Sequence, residues 1–514
     1  MRPLAAPLAL LLACVLGATG PAAAAEAKAG SEAKAAALFD ALAKDPTRLR
    51  IFLQAMPKGA DLHNHLSGAP YAEDYLKSAA DAGYCIDAAG PQLVPPPCPP
   101  ETAVRGLGER DPFAFNRLVD ALSTRAFQAG HGRDEVSGHT QFFSTFGRFG
   151  AIASGDIADG LASTLSLAAG DRVVYVELIH NPNAIMDHVL AGPPGPLAAD
   201  GLAEAFEREA AAVAPVVTKA MAELDRDEAK ARRRMDCNAT SKPSPAACDV
   251  SVRYLGWVFR GLPPAQAFRS MVAAFALAAR DPRFVGVNIV QPEDSLISVR
   301  DYDLHMAMFR FLSGKYPKVR RSLHAGELAR GMVPPAALRD HIRKAIEVGG
   351  AERIGHGADI AFEDDAPAIL AKMKRRGVAV EINLTSNAVI LGVAGQDHPL
   401  ALYRRAGVPV VLSTDDEGIL RTDLTHEYVR AAREHGLRYG DLKAISRAGL
   451  EYAFLPGPSL WNDGQVGAPV AACAGGWTTA LCRGYLQSSP KARLQVDLEL
   501  QLAAFEHAVV SWIF

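Results

Sequence analysis

The chain lacks an excess of charge of either sign. Its 54 Lys and Arg stand against 57 Asp and Glu, a formal net charge of -3 over 514 residues. Nucleic acid and anionic membrane surfaces are bound through a clustered basic excess, so neither is an expected partner. The one basic cluster, Arg232-Arg233-Arg234, closes a stretch from Glu223 in which acidic and basic residues mix, the pattern of a solvated helix. Long apolar runs are missing too: Leu4 to Val15 is too short to cross a bilayer, and no later segment reaches the needed length. Cys-x-x-Cys spacing is absent among the seven cysteines, which argues against a thiolate zinc site. No internal repeat is apparent.

What is present begins with an N-terminal export signal. Arg2 is a minimal basic region, Leu4 to Val15 is apolar, and Ala22 to Ala25 offers an Ala-x-Ala cleavage site, so residues 1–25 read as a signal peptide and the mature protein as periplasmic or secreted. Leu11-Leu12-Ala13-Cys14 also resembles a lipoprotein processing site, which would anchor the chain through Cys14. The six remaining cysteines fall into neighbouring pairs, Cys85/Cys98, Cys237/Cys248 and Cys473/Cys482. Six cysteines allow 15 connectivities, and pairing of neighbours is the economical one in an oxidising compartment.

The composition, 49% hydrophobic and 22% charged, is that of a globular protein. Residues 26–55 read as a leader in which the Ala- and Lys-rich stretch Glu26 to Ala37 runs loosely into a helix. Residues 56–514 read as one unit with insertions near 84–101, 191–250 and 456–495. Asp111 to Gly150 has helical periodicity and an aromatic cluster (Phe113, Phe115, Phe127, Phe142, Phe143, Phe146 and Phe149), mostly expected in core packing.

From residue 170 short apolar runs alternate with longer helical stretches. The runs are Val173–Ile179, Val252–Phe259, Phe284–Val290, Arg321–His324, Arg353–His356, Val378–Asn383 and Val408–Ser413; Pro264–Arg280 and Pro335–Val348 fit crossover helices. With an opening strand around Asp61-Leu62-His63-Asn64-His65 that makes eight. The expected fold is α/β: a TIM-type (β/α)8 barrel with helical and disulfide-stapled insertions.

Active sites of such barrels lie at the C-terminal ends of the strands. His63 and His65, two apart in a strand, point to one face. The fifth strand ends in His324, with Gly326 and Glu327 following; the sixth ends in His356; the eighth ends in Asp415-Asp416. Three histidines and one aspartate would complete a shell suited to Zn²⁺. Such an ion lowers the pKa of bound water to about 7, and an acid and a base beside it would handle the protons.

These residues stand in a wider set of motifs. Met56-Pro57-Lys58-Gly59-Ala60-Asp61-Leu62-His63-Asn64-His65-Leu66-Ser67-Gly68, His324-Ala325-Gly326-Glu327, Arg353-Ile354-Gly355-His356-Gly357, Thr385-Ser386-Asn387 and Ser413-Thr414-Asp415-Asp416 occur in this order. Over roughly residues 55 to 430 the chain resembles the adenosine deaminase family of zinc hydrolases, and its signal peptide, paired cysteines and insertions resemble the secreted, growth-factor-related branch. The resemblance implies one Zn²⁺ per chain, held by His63, His65, His324 and Asp415. It also implies that Glu327 protonates purine N1, that His356 orients the attacking hydroxide, and that Asp416 hydrogen-bonds N7. The other zinc deaminase pattern, His-x-Glu with Pro-Cys-x-x-Cys, is absent.

The sequence departs from the family at Ser67, where many relatives carry an acidic residue that contacts the ribose. It departs again in Asn288-Ile289-Val290-Gln291-Pro292-Glu293, where relatives have a glycine against purine N3 in place of Gln291, and more mildly at Asn383-Leu384. Ser67, Gln291 and Gly326 join Asp416 as candidate substrate contacts. The expected function is hydrolytic deamination of adenosine or 2′-deoxyadenosine to inosine or 2′-deoxyinosine plus ammonia, by attack of metal-activated hydroxide at C6. The partner is then a small purine nucleoside. Free adenine or a modified adenine nucleoside is the alternative substrate, and a secreted binding protein without turnover the alternative class; the oligomeric state stays open. His131, His139, His188, His305, His341, His398, His426, His435 and His507 have no second member at ligand spacing and read as surface or core. His180, just past the second strand, stands between pocket wall and core.

Overall fold

The computed structural model describes residues 21–87, 89–127, 136–155, 157–238 and 245–512, with side chains from Gly30 onward. The apolar part of the export segment, Cys14 and His131 lie outside the described residues. Eight parallel strands form the barrel: β1 (Lys58–His65), β2 (Val173–Ile179), β3 (Ser251–Phe259), β4 (Phe284–Val290), β5 (Arg320–Ala325), β6 (Arg353–His356), β7 (Ala379–Ile382) and β8 (Val410–Leu412), neighbours in that order. All eight expected strands are present. They are buried on both faces, by side chains inside the barrel and helices outside, which is why they read as near-continuous apolar runs. The ring closes where Asp415 N–H donates to His63 O (2.8 Å) and His65 N–H to Asp415 O (3.0 Å).

Helices cover the outside, and Pro264–Arg280 has the expected bounds. Pro335–Val348 is not one helix. It splits into a 3-10 turn, Pro335–Leu338, and a helix, His341–Glu347, because Asp340 leaves helical geometry (φ -155°) and Glu363 accepts the Ile342 N–H. Glu26 to Ala37 is not loose either, lying within the helix Pro21–Leu42, whose C-terminal half packs Phe39 against Phe52 and Tyr439. Most of 191–250 is one helix, Leu202–Arg234, packed on Ala158–Gly170, Asn183–Ala191 and Pro264–Arg280, so it supplies the outer layer between β2 and β3. The three neighbouring cysteine pairs lie at disulfide distance, with Cα atoms 5.4, 5.5 and 4.5 Å apart. Cys473 and Cys482 sit in a small separate core with Leu460 and Trp461. Among the described residues no helix is long and apolar enough to cross a membrane.

Candidate active site

Four side chains converge at the C-terminal mouth of the barrel. The donor atoms of His63, His65, His324 and Asp415 all lie within 4.8 Å of one another. His324 Nε2 is 3.1 Å from His63 Nε2 and 3.3 Å from His65 Nε2, and Asp415 Oδ1 is 3.3 Å from His65 Nε2. The other ring nitrogens point away from the centre: His63 Nδ1 is 2.7 Å from Glu381 Oε2, and His324 Nδ1 is 2.7 Å from Asn288 Oδ1. Both partners are acceptors, so each Nδ1 carries a proton and each Nε2 turns a lone pair inward. Lone pairs facing at 3.1 Å repel unless a cation lies between them. Burial opposes charge throughout the centre and pushes His65 down to about 3 and His324 well down, yet Asp415 and Glu381 pull His63 up to about 10. The two carboxylates call for one positive charge, which a metal ion would supply in place of a ring proton, with all three lone pairs facing it. The residues present therefore fit a metal ion, and the His₃Asp set suits Zn²⁺.

The local backbone is shaped to bring these groups together. β1 carries a register irregularity between Asp61 and Asn64, and such bulges re-aim side chains. His356 (φ 68°) and Asp415 (φ 63°) adopt left-handed conformations that cost non-glycine residues of order 1 kcal/mol or more. Gly355 has no side chain where His63 packs, since a Cβ there would lie 2.7 Å from His63 Cε1. Gly326 combines φ 75° with lack of room, as a Cβ would meet Asp359 Oδ1 at 2.4 Å.

Glu327 and His356 stand beside this centre, with His356 Nε2 3.6 Å from Glu327 Oε1 and 3.8 Å from Asp415 Oδ2. Burial, with the negative charges of Asp415 and Glu293 adding to it against the opposing pull of His356, pushes the Glu327 carboxyl up to about 7. Asp416 is held well above the usual carboxylate range, first by burial and then by the charge of Asp415. Its Oδ1 is buried without a partner among the described residues, and a Cβ at Gly68 would stand 1.6 Å from it.

Sequence reasoning passed over the residues that hold these groups in place. Buried Glu293 accepts the main-chain N–H groups of Gly326 (3.2 Å) and Glu327 (2.8 Å) and the Nδ1–H of His341 (2.6 Å), fixing the turn between His324 and Glu327. Ser386 donates to Asp415 Oδ2 at 2.7 Å. Glu381 had a legible signal, a charged residue inside an apolar strand, and Ser386 and Arg353 stood in the family motifs without a role of their own; His341 and His398 had no such signal.

The candidate substrate contacts separate. Ser67 is exposed at the mouth, its carbonyl accepting from Tyr75. Gln291 keeps a glycine-like φ of 87°, and its Oε1 accepts from Gly261 N–H at 2.8 Å, so the side chain is tied to the loop after β3. His180 lines a cavity with Leu66, Ser67, Tyr75 and Ser78, and its Nε2 is buried without a hydrogen-bond partner among the described residues. His139 pairs with Asp294 across the mouth at 3.1 Å. Phe142 and Phe149 are core, whereas Phe113 is 78% exposed at the start of its helix, against the packing expected of it.

Fold and donor set define the class: a TIM barrel with a candidate metal centre at its C-terminal mouth. The chain belongs to the adenosine deaminase family, whose model matches residues 157–460. It is 38% identical to the adenosine deaminase of Serratia proteamaculans over 138 residues, 27% of this chain and 38% of that protein. It is 40% identical to the aminodeoxyfutalosine deaminase of Streptomyces coelicolor over 109 residues, 21% of this chain and 27% of that one. The chain thus spans well under half the length of these curated relatives. Arabidopsis ADAL, solved in complex with IMP, shares the fold: TM-score 0.50 and 20% identity, over 78% of this chain and 93% of that one.

Proposed function

We propose that this protein hydrolytically deaminates adenosine, 2′-deoxyadenosine or a close analogue, with one Zn²⁺ held by His63, His65, His324 and Asp415. The observation that carries this reading is the convergence of those four donors with Glu327 and His356 beside them. A bound zinc ion would polarise water and make a nucleophile available near neutral pH. Attack at C6 pushes electrons onto N1, and the Glu327 carboxyl, holding a proton near neutrality, supplies one where charge develops. His356 faces Glu327 and Asp415 and orients the nucleophile between them. N7 only accepts, so Asp416 must be neutral to donate to it; its unpartnered buried Oδ1 supports that role.

The test is absorbance at the adenosine band together with ammonia release, on purified protein as isolated, after chelation and after Zn²⁺ is restored. Turnover that disappears and returns with the metal is expected. Zinc-loaded protein inert towards every adenine nucleoside would overturn the reading. Asp416→Asn, which can still donate, is expected to keep at least tenfold more kcat/KM than Asp416→Ala; equal losses would refute donation to N7. Exposed Ser67 and the presence of Gln291 favour a second reading, in which the substrate is free adenine or a modified adenine nucleoside, and a substrate panel separates the two. Export to the periplasm or beyond is part of the proposal, supported by the N-terminal signal pattern and by three cysteine pairs at disulfide distance.

A further inference from the structure

Two buried residues outside the donor set, His398 and Asn387, form a hydrogen-bonded chain that ends on His356. Leu400 N–H points at His398 Nδ1 at 3.2 Å. The Asn387 amide lies 2.9 Å from His398 Nε2 at one end and 2.9 Å from His356 Nδ1 at the other. We propose that His398 is a positioning residue that, through Asn387, fixes the proton of His356 on Nε2, the ring nitrogen facing the reaction centre.

The argument is donor and acceptor accounting. A main-chain N–H can only donate, so Nδ1 of His398 is the acceptor, and a neutral imidazole then carries its proton on Nε2. His398 is neutral: it is 2% exposed, and burial above all pushes its pKa down to about 3. Its Nε2–H needs an acceptor, and among the described residues the oxygen of the Asn387 amide supplies it. The amide nitrogen then faces His356 and donates to Nδ1. With the oxygen towards His356, as the amide is placed here, Leu400 N–H and Asn387 Nδ2–H would both aim at a ring that has one acceptor nitrogen. The two ends of an amide have the same shape, so hydrogen bonding decides between them. Asn383 Nδ2 lies 3.5 Å from both ring nitrogens of His356 and does not choose between them.

His356 is then a hydrogen-bond donor towards the space shared by Glu327 Oε1 and Asp415 Oδ2. It holds the oxygen of the nucleophile in place and does not take its proton, which passes to Glu327 and on to N1. That meaning rests on the deaminase reading; the position of the proton does not.

Neutron diffraction from crystals of the perdeuterated zinc-loaded protein reads the position directly. Deuterium on His356 Nε2 alone, with the Asn387 ND₂ group towards His356 Nδ1, is expected. Deuterium on His356 Nδ1, alone or with Nε2, overturns the proposal. Asn387→Asp provides the functional arm: a carboxylate accepts from both rings and draws the His356 proton to Nδ1. Its kcat on the substrate that the panel identifies is expected to fall at least tenfold while KM stays within about threefold and zinc content is unchanged. An unchanged kcat overturns the assignment, and should this variant fail to fold, the neutron result on the wild type decides alone.

Discussion

Arg353→Met is expected to destabilise the fold by about 3–5 kcal/mol, the typical cost of removing one partner from a buried ion pair. The Arg353 guanidinium is fully buried inside the barrel. Its Nε contacts Glu381 Oε1 at 2.5 Å, its Nη2 contacts Glu177 Oε2 at 2.6 Å, and its Nη1 donates to Tyr452 O at 2.9 Å. The planar group also lies over Phe454, 3.8 Å from the ring centroid. Methionine would fill the volume but leave two buried carboxylates without their cation. Lysine would restore the charge but not the planar fork that reaches three partners at once, so Arg353→Lys is expected to recover only part of the loss. The effect should extend to the mouth, because Glu381 also accepts from His63 Nδ1, and partners of metal-ligating histidines commonly change metal affinity 10–100-fold when replaced. Urea unfolding and zinc competition with a chelator measure both. A wild-type urea midpoint in Arg353→Met would show that the pair contributes nothing to stability.

Glu327→Gln is expected to lower kcat by about 10²–10⁴-fold, the usual contribution of a positioned proton donor. The change is nearly isosteric, and Glu327 N–H still donates to Glu293, so the turn should hold. Glu327 is not among the four converging donors, so zinc content is expected to match the wild type. An amide cannot pass a proton to N1 and regain it. Single-turnover rates on the substrate identified by the panel, beside zinc analysis, isolate this role. A rate within threefold of wild type would remove Glu327 from the chemistry.

The barrel was legible because its strands are buried on both faces and therefore spelled as apolar, β-branched runs separated by helical stretches. The reactive side chains were legible because barrels place them at strand ends, where a histidine or aspartate closing an apolar run stands out. Helix boundaries were less legible. The break at Asp340 depends on Glu363 accepting the Ile342 N–H, a contact 21 residues along the chain. Phe113 reads like its aromatic neighbours, and only the packing of its helix leaves it exposed.

By itself the sequence determined the eight-strand order and the list of polar groups at the mouth, and left neighbour pairing as the economical choice for the six cysteines. Each of these is written in local spacing and residue type. Only the tertiary structure decided which groups face one another: Glu381 and Asn288 behind the histidines, Glu293 under the Gly326–Glu327 turn, Gln291 tied to Gly261, and His398 linked through Asn387 to His356. Those pairings join positions far apart in the chain, and their strength depends on burial in a medium of low dielectric constant. Local patterns carry no record of such distances, so they arise only when the barrel closes.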